Sequence, residues 1–320
     1  MAGETEAEPR IAVVGAGLIG RSWAIVFARA GFKVTLFDAD AQALKAAKDW
    51  IAETTRALAR YTLIPDPDAV CERVTLQDDL AAAVGDAVYV QECVPEELSI
   101  KRTLFAALDR LAPADAILAS STSGIVASTF TGDLAGAARC LVAHPVNPPY
   151  LVPLVEICPA PTTDPEAVAR TRTLLEQAGQ APVVVRREVR GFLLNRLQGA
   201  VLNEALRLFE DGYASAEDID RTMKYGLGLR WSFMGPFETI DLNAPGGLAD
   251  YAARYGPLYE TLGQEQADPR PWQHSTVQQL EAERRQHLAG DALTARQAWR
   301  DRRLMALAAH KQAQSDDSSN

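Results

Sequence analysis

The 320-residue chain is poor in several features that would assign it to a functional class at once. Its four cysteines, Cys71, Cys93, Cys140 and Cys158, are scattered, with no CxxC pair and no histidine at ligand spacing beside them, so neither a disulfide framework nor a metal site is expected. Small thiols in apolar, strand-like segments are expected to be reduced and structural. No run of about 20 uncharged apolar residues exists to span a bilayer, and the acidic opening "MAGETEAEPR" lacks the apolar region of a secretory signal. Positive charge is scarce as well. With 32 Lys and Arg against 42 Asp and Glu, the net charge of −10 argues against nucleic acid or an anionic membrane as partner, while leaving local pockets for a small anion open. Repeats and low-complexity tracts are absent. The expectation is a cytoplasmic globular protein, long enough for two domains.

What is present is an alternation of β-branched runs and helical periodicity from Ile11 to about Arg187. "IAVVG", "KVTLF", "AVYVQEC", "AILAS", "CLVAH", "LVEI" and "PVVVRR" are strand candidates. Between them, "LIGRSWAIVFARAG" and "EELSIKRTLFAALDRL" space apolar residues as amphipathic helices do. This pattern predicts an α/β fold: a Rossmann-type, mostly parallel sheet domain over 1–188. Beyond "RREVRG" strand signals stop, and 189–320 is expected to form an all-helical domain for substrate and dimerisation. Its long first helix should end at Gly212 and its second should be capped by Ser215. The polar tail "AQSDDSSN" is expected to be disordered.

Gly15, Gly17 and Gly20 in "GAGLIG" directly follow a strand and open a helix. Gly15 permits the tight turn, Gly17 lets backbone approach a pyrophosphate, and Gly20 lets helix pack on strand, with Leu18 and Ile19 completing the loop. Asp38, about 20 residues on at the end of "KVTLFD", suits an adenosine ribose. No Lys or Arg follows in "DADAQAL" to receive a 2′-phosphate, so NAD is favoured over NADP as cofactor.

Oxidising an alcohol to a carbonyl releases a proton as well as a hydride, and imidazole accepts a proton near neutral pH. Three of the four histidines, His274, His287 and His310, lie in polar helical segments. His144 alone ends a sheet-type strand, at the side where open α/β sheets bind ligands. Glu156, in the apolar run "PLVEI", needs a partner if buried. A His144 partner would orient the ring; a solvent-facing strand position is the alternative. Ser123 follows the strand "AILAS" and Asn195 lies in the first turn of a long helix. A helix cap and a solvated face remain open for these two.

Taken in order, "GAGLIGRSW", "QECVPEELSIKRTLF", "SSTSG", "AHPVNPPYLVPLVEI", "GFLLNRLQ" and "GLGLRWSFMGPFE" resemble the L-3-hydroxyacyl-CoA dehydrogenase family, specifically its lambda-crystallin and L-gulonate 3-dehydrogenase branch. The resemblance implies a catalytic pair at His144 and Glu156, with Ser123 and Asn195 hydrogen-bonding the substrate oxygen. It implies that Glu96 and Lys101 lie toward the nicotinamide end, although a solvated helix face suits them equally, and that Asn147 shapes the site. It further implies a homodimer acting on a small-molecule hydroxy acid. That branch also includes a crystallin, so a non-catalytic structural role is the alternative from another class.

The phrase "GLGLRWSFMG" departs from the acyl-CoA enzymes by its Arg230–Trp231 pair. A guanidinium matches a carboxylate, so Arg230 suits a free 3-hydroxy acid. "LRWSFMG" also resembles carnitine 3-dehydrogenases, and the resemblances together imply L-gulonate or a similar sugar acid first, carnitine-like and other short 3-hydroxy acids second and acyl-CoA thioesters third. A structural arginine is the alternative. A quaternary ammonium would want an aromatic cage, for which Trp231 and Trp23 are candidates.

Overall fold

A computed structural model describes residues 9–314. The acidic opening through Glu8 and most of the polar tail lie outside the described residues, but Ala313 and Gln314 belong to the last helix, Leu293–Gln314.

Eight strands form one sheet: β1 (Arg10–Val14), β2 (Lys33–Phe37), β3 (Val74–Gln77), β4 (Tyr89–Glu92), β5 (Ile117–Ser120), β6 (Cys140–Pro145), β7 (Leu154–Pro159) and β8 (Ala181–Val184). Their order is β3-β2-β1-β4-β5-β6-β7-β8, and every pair is parallel except β6–β7. All seven anticipated strands are present. The additional one, β3, is a four-residue, half-exposed edge strand.

The pleat of β1 explains the layering. Ile11 and Val13 enter one core with Trp23, Phe27 and Tyr89, whereas Ala12 and Val14 enter another with Phe105, Leu108 and Phe130. A strand buried on both faces reads as a continuous apolar run because it has no solvent face to mark with polar residues. In the first core, Trp23 stacks on Phe27 with centroids 5.1 Å apart, and Tyr89 meets Phe27 edge-on at 5.8 Å. Each ring fully withdrawn from water contributes about 1.5–3 kcal/mol.

The described chain falls into two compact units. One runs through Arg196 and takes in the last helix from Gln297; the other spans Leu197–Arg296. In the first, Met305 of the last helix is buried in the Trp23 core. In the second, the long helix Leu194–Glu210 stops before Gly212, whose φ of 74° is the left-handed conformation that ends helices. Ser215 then caps Ala216–Thr222 by accepting a hydrogen bond from the Asp218 amide. A single π-helical segment, Met223–Leu227, leads into Gly228–Trp231, followed by Pro236–Asp241 and Gly247–Glu265. No helix among the described residues is long and apolar enough to cross a membrane.

Candidate active site

The strand order turns around between β1 and β4, which opens a crevice outside the carboxyl ends of the strands. The glycine loop lies here, and its glycines differ in purpose. Gly15 has φ 107°, and a Cβ there would meet the Cys93 carbonyl oxygen at 2.9 Å. At Gly20 an added Cβ would sit 1.7 Å from the Gly15 carbonyl oxygen, so the loop and the helix Leu18–Arg29 pack this closely only around glycine. Gly17, by contrast, faces open space. The helix N-terminus carries no side-chain cap, which leaves its amides and positive dipole end available to an anion. Leu18 is exposed and Ile19 packs against the core. Asp38 Oδ2 accepts the Ala16 amide at 2.8 Å, tying the acidic end of β2 to the loop. This cradle fits a dinucleotide.

His144 and Glu156 are directly opposed across the antiparallel β6–β7 pair, so their side chains share a face. His144 Nδ1 is 2.9 Å from Glu156 Oε2, and both residues are nearly buried. The other carboxylate oxygen accepts the Leu193 and Leu194 amides at 2.7 and 2.8 Å. Those amides are aimed by two consecutive left-handed residues, Gly191 (φ 76°) and Phe192 (φ 50°). A bulky side chain rarely adopts that conformation. Phe192 is fully buried, and its ring lies 5.4 Å from the imidazole. Burial pushes the Glu156 carboxyl up, but the His144 hydrogen bond and the two amides outweigh it, and the net shift is down from the ordinary value.

Ser123 lies in an irregular turn after β5 rather than at a helix cap, and its side chain is exposed. The turn is gripped by Glu96, whose Oε1 accepts from Thr122 Oγ1 at 2.5 Å, the Ser123 amide at 3.0 Å and the Gly124 amide at 3.1 Å. Asn195 Nδ2 donates to the Ser123 carbonyl at 2.8 Å, so Ser123 and Asn195 come together. Asn147 is exposed on the loop after His144.

Lys101 is buried, not solvated. Its Nζ donates to both carboxylate oxygens of Glu92 at 3.0 Å and lies 3.8 Å from Glu96. Glu92, fully buried at the end of β4, escaped the sequence reading, as did the Leu193 and Leu194 amides. Removing one partner of so buried an ion pair costs about 3–5 kcal/mol.

Arg230 lies on Gly228–Trp231 in the second unit. It is half-buried, and its guanidinium makes no hydrogen bond or ion pair with any described residue. Trp231 is 38% exposed, but Trp23 is fully buried against Phe27. Trp23 therefore cannot serve as the cage wall considered above, because its helix turns that face into the core.

The four cysteines are free. Burial pushes the Cys140 thiol up to about 12 and the Cys158 thiol up to about 11, which keeps both protonated and unreactive.

A family model described as the 3-hydroxyacyl-CoA dehydrogenase NAD binding domain matches residues 10–189, and one for the C-terminal domain of the same enzymes matches 191–289. The chain belongs to the 3-hydroxyacyl-CoA dehydrogenase family. It is an NAD-dependent oxidoreductase acting on a CH–OH group. It is 46% identical over 308 residues to the lambda-crystallin homolog of Bos taurus, covering 93% of this chain and 94% of that protein. It is 38% identical over 275 residues to the L-carnitine dehydrogenase of Streptomyces coelicolor, covering 86% and 83%. Among solved structures, a 5-formyl-3-hydroxy-2-methylpyridine 4-carboxylic acid 5-dehydrogenase superposes with a TM-score of 0.80 at 28% identity, covering 94% of this chain and 97% of that one.

The lowered Glu156 carboxyl makes stability depend on pH. Its folded-state value lies below the unfolded value of about 4.3, so its contribution is complete above that pH and is lost as pH falls through the folded value. Melting temperatures measured from neutral pH into this acidic window should fall more steeply for the wild type than for Glu156→Gln. Parallel curves would contradict the assignment.

Proposed function

We propose that the protein oxidises the 3-hydroxyl of a small free 3-hydroxy carboxylate, with L-gulonate as the first candidate. The observation that carries the chemistry is the 2.9 Å contact between His144 Nδ1 and Glu156 Oε2. With Nδ1–H donated to the carboxylate, Nε2 keeps its lone pair and accepts the hydroxyl proton. Glu156 holds the ring and stabilises the imidazolium that forms. The Ser123 hydroxyl and the Asn195 amide hydrogen-bond the oxygen that becomes a carbonyl. NAD supplies the acceptor for the C3 hydride. Gly15, Gly17 and Gly20, with the amides at Leu18 and Ile19, would hold its pyrophosphate, and Asp38 its ribose. Glu96 would lie toward the nicotinamide end, with Lys101 buried behind it as its counter-charge, and Asn147 would shape the substrate side.

Arg230 supports the choice of a free acid, because its guanidinium makes no hydrogen bond or ion pair among the described residues and matches a carboxylate geometrically. The similarity to L-carnitine dehydrogenases favours L-carnitine as the second reading. In the second unit Phe233 and Phe237 are 73% and 77% exposed, and Leu242 is exposed too. Such apolar surface supports a homodimer through the helical unit.

Four measurements check these assignments. His144→Ala should abolish NAD reduction while keeping NADH affinity; activity equal to wild type would refute the base. Initial rates with L-gulonate, L-carnitine, 3-hydroxybutyrate and 3-hydroxybutyryl-CoA should favour a free acid. Arg230→Met should then raise KM for that acid about tenfold or more, the loss of a charge-assisted contact; a preferred thioester or an unchanged KM would sink the carboxylate role. Sedimentation should give a dimer that Phe237→Glu weakens, and a monomeric wild type would overturn that part.

A further inference from the structure

We propose that Glu92 is a positioning residue for the reaction, acting through Lys101 and Glu96 on the turn that presents Ser123 and anchors Asn195. The inference rests on the assignment of Ser123 and Asn195 to the substrate oxygen.

Glu92 and Ser120 end two neighbouring parallel strands and are directly paired in register. Both are fully buried, and Ser120 Oγ donates to Glu92 Oε2 at 2.5 Å. The Val94 amide donates to Glu92 Oε1 at 2.7 Å, and Lys101 Nζ reaches both oxygens. Every strong acceptor direction of this carboxylate is therefore used, and none points to solvent or to a ligand. A charge pair in this position is a costly way to fill space, since well-packed apolar residues are often as stable or more so. Its distinctive property is direction: it holds one ammonium at one place.

That place matters because Lys101 serves two carboxylates. Glu96, its second partner at 3.8 Å, is the acceptor that closes the 122–124 turn. From Ser120 through Glu92, Lys101 and Glu96 to the Ser123 amide, a single run of polar contacts links the ends of β4 and β5 to the turn. Asn195 joins that run at the Ser123 carbonyl. If Lys101 shifts, Glu96 loses its counter-charge and the turn its fixed anchor. The substrate-oxygen donors then lose their common geometry while the glycine loop, on a different strand, keeps its own. The pair should thus govern kcat more than cofactor affinity, which separates this role from a direct contact of Lys101 with the nicotinamide end.

The test compares the wild type with Glu92→Gln/Lys101→Met and with Ser123→Ala. The double variant is chosen because it removes both buried charges together and leaves unpaired only Glu96, whose side chain reaches solvent. Three quantities are read: melting temperature, NADH affinity by quenching of tryptophan fluorescence, and kcat for NAD reduction with whichever of L-gulonate, L-carnitine or 3-hydroxybutyrate the wild type oxidises fastest. The double variant should melt close to wild type and bind NADH within about twofold, yet lose about tenfold or more in kcat, as misplaced reacting groups do. Ser123→Ala should lose kcat in the same pattern. Wild-type kcat in the double variant beside an impaired Ser123→Ala overturns the positioning role alone. NADH affinity that falls as far as kcat also overturns it, by assigning the pair to the cofactor. Wild-type kcat in Ser123→Ala overturns the oxygen-site assignment and this inference with it.

Discussion

The antiparallel pairing of β6 with β7, at one side of an otherwise parallel sheet, is the constraint on which the site depends. It sets residue 144 against residue 156 and puts both side chains on one face. A slip of one residue would send the carboxylate to the opposite face and leave the imidazole without its partner. Register is secured by burial, because Val155 and Ile157 belong to one core and Cys158 to the other, and a slip would exchange these faces. The same packing that stabilises the sheet thus positions the base.

Electrostatics follows from that placement. Two carboxylates, Glu92 and Glu156, sit in the dry end of the sheet, and each is satisfied differently. Glu156 is held by a histidine and two backbone amides, which together overcome the burial penalty. Glu92 is dominated by burial, which pushes its carboxyl up against the opposing pull of Lys101, Ser120 and Val94. The first arrangement leaves one imidazole nitrogen to do chemistry. The second leaves no atom free and is suited to holding position. The glycine loop needs neither device, because its anion preference comes from uncapped amides and a helix dipole.

Much of this was legible in the sequence, and the failures have physical causes. Strands buried on both faces announce themselves as apolar runs, so "IAVVG" and "CLVAH" could be assigned directly. The edge strand "VTLQ" could not, because it is short and half-exposed. The cost of burying a carboxylate in "PLVEI" called for a partner, and the family resemblance named His144 as that partner. Glu92 was missed because a glutamate at a strand end also suits solvent, and only the return of Leu98–Leu111 over the sheet brings Lys101 onto it. The amides of Leu193 and Leu194 carry no side-chain signature at all; their only trace is Gly191, which permits the turn. Trp23 was considered as a ligand-facing ring, but the uninterrupted buried run from Ser22 to Ala28 surrounds it with core.

The central claim is that Glu156 makes His144 an effective base, and single-turnover NADH formation by Glu156→Gln tests it most directly. The account predicts a rate lower by about 100-fold or more, the scale of general acid–base catalysis, with NADH affinity unchanged. A rate within about twofold of wild type, in a variant that binds NADH normally, would mean that the proton leaves by another route.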